Sequence, residues 1–214
     1  MNKQEIKQLI NKENPLVLDI GTYDGKDAKD LSDILDCDVH CFEPDPLSQM
    51  VFNTTHNYNS RLHLYPYAVS NVDGYISFYQ SNHPQSNSIR QPKEHLNLFP
   101  GVIFDEEVKV RSIKLDTWYH NNFGSSITLP IIDFIWADVN GAEIDLIQGG
   151  LKALANTRYL YIEVSKKELY EGQDFYEPGR NKNKLHDLLP DFKLMFSYNW
   201  GESFGNILLK NTKL

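Results

Sequence analysis

The stretch LVLDIGTYDG at residues 16–25 decides the reading of this chain. It begins as an apolar run rich in branched side chains, the composition of a strand covered on both faces. Pro15 closes any helix before it, and residues 3–11, with Ile6, Leu9 and Ile10 on one side, read as a short amphipathic helix. After Gly25, Ala28, Leu31, Ile34 and Leu35 recur at helical spacing. The glycine turn therefore lies between a buried strand and a helix, framed by Asp19 and Asp24.

The same alternation continues. Residues 38–45 (DVHCFEPD) read as a second strand ended by Pro44, and 46–56 as a helix with Pro46 in its first turn. Residues 61–70 read as a third strand running into a loop. Strand, helix, strand, helix, strand with short connections predicts a parallel sheet with right-handed crossovers. Residues 74–81 and 106–115 alternate like exposed strands and flank a polar segment with three prolines at 81–105, expected to be an acceptor-site loop or lid or else disordered. The winding resumes with a strand at 131–139, a helix broken by Gly149-Gly150 and a strand at 159–165. A short helix within 180–190 and two closing strands, FKLMFSY and GNILLKN, complete a single expected domain over 1–214.

Composition excludes several classes. The 214 residues carry a net charge of −8, which argues against general affinity for nucleic acid. The densest basic stretch, RNKNK at 180–184, reads as a solvated helix start. Cys37 and Cys41 are too few for a disulfide framework or a structural zinc site and are expected to be buried thiols. No apolar run reaches transmembrane length and the first residues lack a signal-peptide core, so a soluble, cytoplasmic protein is expected.

In a doubly wound sheet, ligands bind at the carboxyl edge near the reversal of strand order. The strands expected there end in Asp19, Glu43, Asp138 and Glu163. The first turn lacks the Lys-Ser/Thr of a P-loop and the third glycine of a dinucleotide fingerprint, so nothing in it cradles a pyrophosphate. Glycines that allow close approach, framed by carboxylates, suit a cationic ligand with a diol and no phosphate, such as S-adenosylmethionine. Asp19 with Gly21, Thr22, Tyr23 and Gly25 would hold its amino-acid end, and Glu43, followed by Pro44, would accept bonds from its ribose hydroxyls. A second cluster, DFIWADVNGAE at 133–143, contributes Asp138 and Glu143. Asp138 and Glu163 are candidate ligands for Mg2+ or Mn2+, or else hold the acceptor, while Glu143, His83 or His95 would take a proton. In the aromatic tail at 195–205, Trp200 is the expected stacking partner for a sugar ring.

With both clusters identified, the sequence resembles the FkbM family of S-adenosylmethionine-dependent methyltransferases. The resemblance rests on VLDIGTYDGKDAKDL, VHCFEPDPLSQMVFN, YAVSNVDGYISFY, VKVRSIKLDTWY, IDFIWADVNGAEIDLIQGG and YLYIEVS, in family order over residues 15–165. It implies a class I methyltransferase fold: seven strands in the order 3-2-1-4-5-7-6, the last antiparallel. It implies O-methylation of a sugar, glycan or natural product. It also implies roles for Ala68 and Val69 beside the adenine, Ser88 near the acceptor, and Asp138 and Glu143 in a D-x-x-G-x-E segment. Trp136 stands where many members have Lys, and Asn140 where many have Glu or Gln; Asn140 would bond an acceptor hydroxyl without acting as a base. Three alternatives stay open at this point: a nicotinamide-dependent oxidoreductase, a methyltransferase of small molecules or protein side chains, and a non-catalytic carbohydrate-binding protein.

Overall fold

The computed structural model describes residues 1, 3–176 and 184–214. Helix α1 (Lys3–Ile10) buries Ile6 and Ile10 and leads to β1 (Val17–Ile20), whose four residues are all buried. Then come α2 (Lys26–Leu35), β2 (Val39–Phe42), α3 (Pro46–His56) and β3 (Leu62–Tyr65). After an intervening unit, β7 (Ile132–Ala137) leads through α6 (Glu143–Gly149) and α7 (Leu151–Ala155) to β8 (Thr157–Ser165). Helix α8 (Lys184–Leu188), β9 (Phe192–Tyr198) and β10 (Phe204–Asn211) follow. The basic stretch 180–184 falls outside the described residues except for Lys184.

The main sheet has the order β3-β2-β1-β7-β8-β10-β9. Contacts from β3 through β8 are parallel, and β10 runs antiparallel to both β8 and β9. In chain order these seven strands follow the expected 3-2-1-4-5-7-6, with the last one antiparallel. The order reverses between β1 and β7, so a crevice opens above their carboxyl ends. One face of the sheet, with Val17, Val39, Phe134 and Tyr161, packs under α1 and α2; the other, with Leu18, Ile20, Ile135 and Leu160, meets α5 (Leu115–Phe123), α6 and α7.

Residues 61–70, expected as a strand running into a loop, hold β3 and then a second short strand where the loop was expected. The chain breaks at Pro66, which has no N–H to give a ladder. Beyond it, β4 (Ala68–Val69) leaves β3 for a second sheet with β5 (Gly74–Ser81) and β6 (Phe104–Ile113), in the order β4-β6-β5. Residues 81–105 are folded. They hold a 3-10 turn at Pro84–Ser86 and helix α4 (His95–Leu98), and bridges Tyr79 to Ser88 and Pro92 to Tyr170 tie them down. Helix α5 was not expected, although Leu115, Trp118 and Tyr119 lie at i, i+3 and i+4 and are buried. Cys37 and Cys41 are free, buried thiols; burial raises both, Cys37 to about 12.

Candidate active site

The turn after β1 is built on left-handed backbone: Gly21 has φ 83°, Tyr23 51° and Gly25 78°. Two glycines relieve what would otherwise be strain. A β-carbon on Gly25 would stand 2.5 Å from the Phe52 ring of α3. The turn is tied to the tip of β2 as well. Gly21 and Thr22 both donate their N–H to the Phe42 carbonyl, at 3.0 and 3.1 Å. Asp19, 1% exposed, accepts from the Thr22 hydroxyl at 2.5 Å.

Glu43 accepts one backbone N–H on each carboxylate oxygen, from Tyr23 at 2.9 Å and Asp45 at 2.8 Å. Burial nevertheless dominates and pushes its carboxyl up to about 7. Each oxygen keeps acceptor capacity for a further donor.

A cavity of about 710 Å³ opens over these groups. Asp19, Gly21, Thr22, Tyr23, Glu43 and Pro44 line it, with Ala68, Val69, Phe42 and Phe78 as an apolar wall. Asp138, Asn140 and Ser88 complete the far side. The cofactor residues expected from sequence therefore converge, apart from Gly25, which stands behind the turn. Carboxylates together with an apolar wall fit a cationic, diol-bearing adenosyl group.

Asp138 is exposed, but to the cavity. The enclosing protein and the Asp27 carboxylate push it up to about 6, while the Asn140 N–H pulls it back. Asn140 is left-handed, with φ 46°, and its amide donates to the carbonyls of Gln85 at 2.9 Å and Asn87 at 3.1 Å. Its own carbonyl accepts from the Ser88 hydroxyl at 2.6 Å. The turn after β7 and the segment 81–105 are thus latched together, and the Asn140 amide is committed to that latch.

Several expected site residues lie elsewhere. Glu143 is buried beneath the turn, where Gly141 N–H bonds it at 2.8 Å and the Gln173 amide at 3.4 Å; burial raises it to about 7. Glu163 does not line the cavity; burial and the carboxylates of Asp138 and Glu143 raise it strongly. No three His, Cys, Asp or Glu side chains converge as a metal site among the described residues, so the expected pair Asp138 and Glu163 finds no third ligand there. His95 is buried against Phe99, Phe104 and Tyr170, and His83 is exposed; neither lines the cavity. Trp200 is packed on Tyr176, with ring centroids 6.0 Å apart, and against Gly205, away from the cavity lining.

Sequence reasoning missed the groups that hold the cavity wall. Asp45 caps α3 through Leu47 N–H and also accepts from the amides of Gln80 at 2.8 Å and Asn87 at 3.3 Å. Arg90 forms an ion pair with Asp145 at 2.6 Å, and the Tyr170 hydroxyl donates to the Ser86 carbonyl at 2.8 Å. Asp45 before Pro46 carried a local capping signal; its partners, 35 and 42 residues away, did not.

A family model described as the methyltransferase FkbM domain matches residues 19–208. The chain belongs to the FkbM methyltransferase family. A curated relative from Sinorhizobium fredii, named 2-O-methyltransferase NoeI, is 39% identical over 219 residues, covering 99% of this chain and 85% of the relative. Among solved structures, Methanococcus jannaschii fibrillarin aligns with a TM-score of 0.51 at 12% identity, over 95% of this chain and 69% of that one. Aeropyrum pernix fibrillarin, solved with natively bound S-adenosylmethionine, aligns at 0.50 and 13% identity, over 97% and 72%. The fold is that of these α/β proteins. This FkbM protein is an S-adenosylmethionine-dependent methyltransferase, which removes the oxidoreductase alternative. No described helix is long and apolar enough to cross a membrane.

Proposed function

We propose that this FkbM methyltransferase methylates a hydroxyl oxygen of a sugar or glycan. The observation that carries the reading is Asp138, an acid with a raised pKa that lines the cavity together with Gln85, Asn87 and Ser88 of the latched wall. The relative named a 2-O-methyltransferase supports oxygen as the acceptor atom and makes a 2-hydroxyl the first position to test.

Asp19, Gly21, Glu43, Ala68 and Val69 would hold the cofactor, and bound S-adenosylmethionine supplies an activated methyl group. Asp138 then orients the acceptor hydroxyl and accepts the proton it loses; a carboxyl raised toward neutrality is the stronger base. The latched wall at 85–88 keeps the acceptor in line and excludes water, and alignment of this kind contributes several kcal/mol. Glu143 and Asn140 act at a distance, by fixing the turn and the wall.

The test is methyl transfer from labelled cofactor to a panel of methyl glycosides, phenols and amines, run with a chelator and with added Mg2+ or Mn2+. Label on a glycoside oxygen, lost when the 2-hydroxyl is replaced by hydrogen, is the expected result. Label confined to phenols or amines, or none at all, overturns the reading. Dependence on the divalent ion would show that a metal takes part in the transfer.

A further inference from the structure

Trp136 borders the same cavity. It stands on β7 in register with Asp19 on one side and Tyr161 on the other. All three side chains share the face of the sheet that packs under α1 and α2, because residues in register across parallel strands point the same way. Tyr161 packs against the indole with centroids 4.3 Å apart, and the Tyr161 hydroxyl accepts from the N-terminal ammonium at 3.0 Å. The ring is therefore backed by a fixed neighbour, and its half-exposed remainder borders the cavity.

The rim beside it belongs to the start of α2. Asp27 and Asp30, three residues apart on one helix face, line the cavity there together with Asp24. A flat aromatic surface bordered by carboxylates matches a pyranose ring, which has an apolar C–H face and a rim of hydroxyl donors. Asp24, Asp27 and Asp30 outnumber Lys26, which also lines the cavity, so an anionic acceptor would meet net like charge there.

We infer that Trp136 is the platform on which a neutral sugar ring of the acceptor stacks, with α2 rim carboxylates taking its hydroxyls. The inference rests on the sugar-hydroxyl reading above and assigns the binding surface that Trp200 does not provide. Trp136 is a binding residue, so its loss acts on acceptor affinity.

The test uses the whole protein saturated with S-adenosylhomocysteine. Tryptophan emission is followed during addition of methyl α-D-mannopyranoside, methyl β-D-glucopyranoside, methyl α-L-rhamnopyranoside and glucose 6-phosphate. The chain has three tryptophans, and Trp118 and Trp200 are packed, so they serve as internal references. At least one neutral glycoside should change the emission of the wild type and leave Trp136→Phe unchanged, and glucose 6-phosphate should give no response. By calorimetric titration, Trp136→Leu, which stays apolar but loses the flat ring, should bind that glycoside about tenfold more weakly than Trp136→Phe while holding the cofactor normally. A response shared by Trp136→Phe, no response to any sugar, a preference for the phosphate, or a loss of cofactor affinity in Trp136→Leu would each overturn the proposal. Methyl transfer onto oxygen in the separate panel is scored independently, so sugar hydroxyl chemistry can stand while Trp136 fails.

Discussion

The Asp138 carbonyl oxygen lies 1.8 Å from the point a β-carbon on Gly21 would occupy. The first and fourth wound strands, β1 and β7, thus leave the sheet in backbone contact, and their turns form one unit under the cavity. Gly21→Ala adds a clash with backbone to a φ of 83°, which an L side chain rarely adopts. The cost should exceed the roughly 1 kcal/mol of an ordinary glycine replacement and reach several kcal/mol. Gly101→Ala, with open space around it, is the control and should be near neutral. Urea midpoints of the two variants would check this; equal midpoints would mean that the turns separate easily.

Glu43 should carry cofactor affinity. Its two oxygens are held by the N–H groups of Tyr23 and Asp45, so the carboxylate is oriented before any ligand arrives. Glu43→Ala should weaken S-adenosylmethionine and S-adenosylhomocysteine alike by about ten- to a hundredfold, the worth of one or two charge-assisted bonds. Calorimetric titration reads both constants. Unchanged affinity would remove Glu43 from the cofactor site.

How far the sequence speaks depends on how local the signal is. The apolar run at 17–20 followed by Gly21 and Gly25 is a local pattern, and the strand and turn it predicts are the ones that line the cavity. Glu43 joins them at the cavity because it follows a strand whose place is set by winding order, whereas Ala68 and Val69, on a strand outside that sheet, are implied only by the family resemblance. The acceptor side depends on pairs far apart in the chain. Asn140 bonds residues 53 and 55 positions away, and no spacing rule anticipates it. Trp200 reads as a stacking aromatic but is consumed by Tyr176 and Gly205, whereas Trp136 lies inside a strand and nothing local marks it as bordering the cavity. Glu143 looked catalytic by position in the segment; its burial beneath Gly141 appears only in three dimensions.

Stability should depend on two buried carboxyls. Folding raises Glu43 and Glu143 from the ordinary 4.5 to about 7. Between those values the unfolded chain has released protons that the folded chain keeps, so their contribution falls as pH rises from about 4.5 to about 7 and is flat beyond. Each group accounts for on the order of 3 kcal/mol. The double variant Glu43→Gln/Glu143→Gln lacks both titrations. It should therefore gain on the wild type across that window, as read by the difference in urea unfolding free energies without cofactor. A difference independent of pH would refute the assignment.

The wall should loosen without its latch. Asn140→Ala removes two bonds to carbonyls at 85 and 87 but leaves Ser88 its backbone partner at residue 140. Amide exchange at 83–89 should speed up by about tenfold or more, the acceptor KM should rise, and cofactor affinity should stay within about twofold. Fast exchange confined to another segment would show that Arg90 and Tyr170 hold the wall alone.

Asp138 bears the sharpest test of the reaction. It opens on the cavity, and the protein around it together with Asp27 raises it to about 6 in the absence of ligand. A base works only when deprotonated, so kcat should rise with pH through an acid limb and level off above it. A cationic cofactor lowers a neighbouring carboxyl, so in the ternary complex that limb should lie at or below about pH 6. Asp138→Asn keeps the size of the side chain and its capacity to accept the Asn140 N–H but cannot take a proton. Its kcat should fall by about a hundredfold or more, and the acid limb should disappear from what activity remains. S-adenosylhomocysteine binding by the same variant separates this from a damaged cofactor site: normal affinity with lost turnover assigns the proton to Asp138. Retained turnover with the limb intact would instead leave the hydroxyl to lose its proton to solvent, and the residue to serve only the turn.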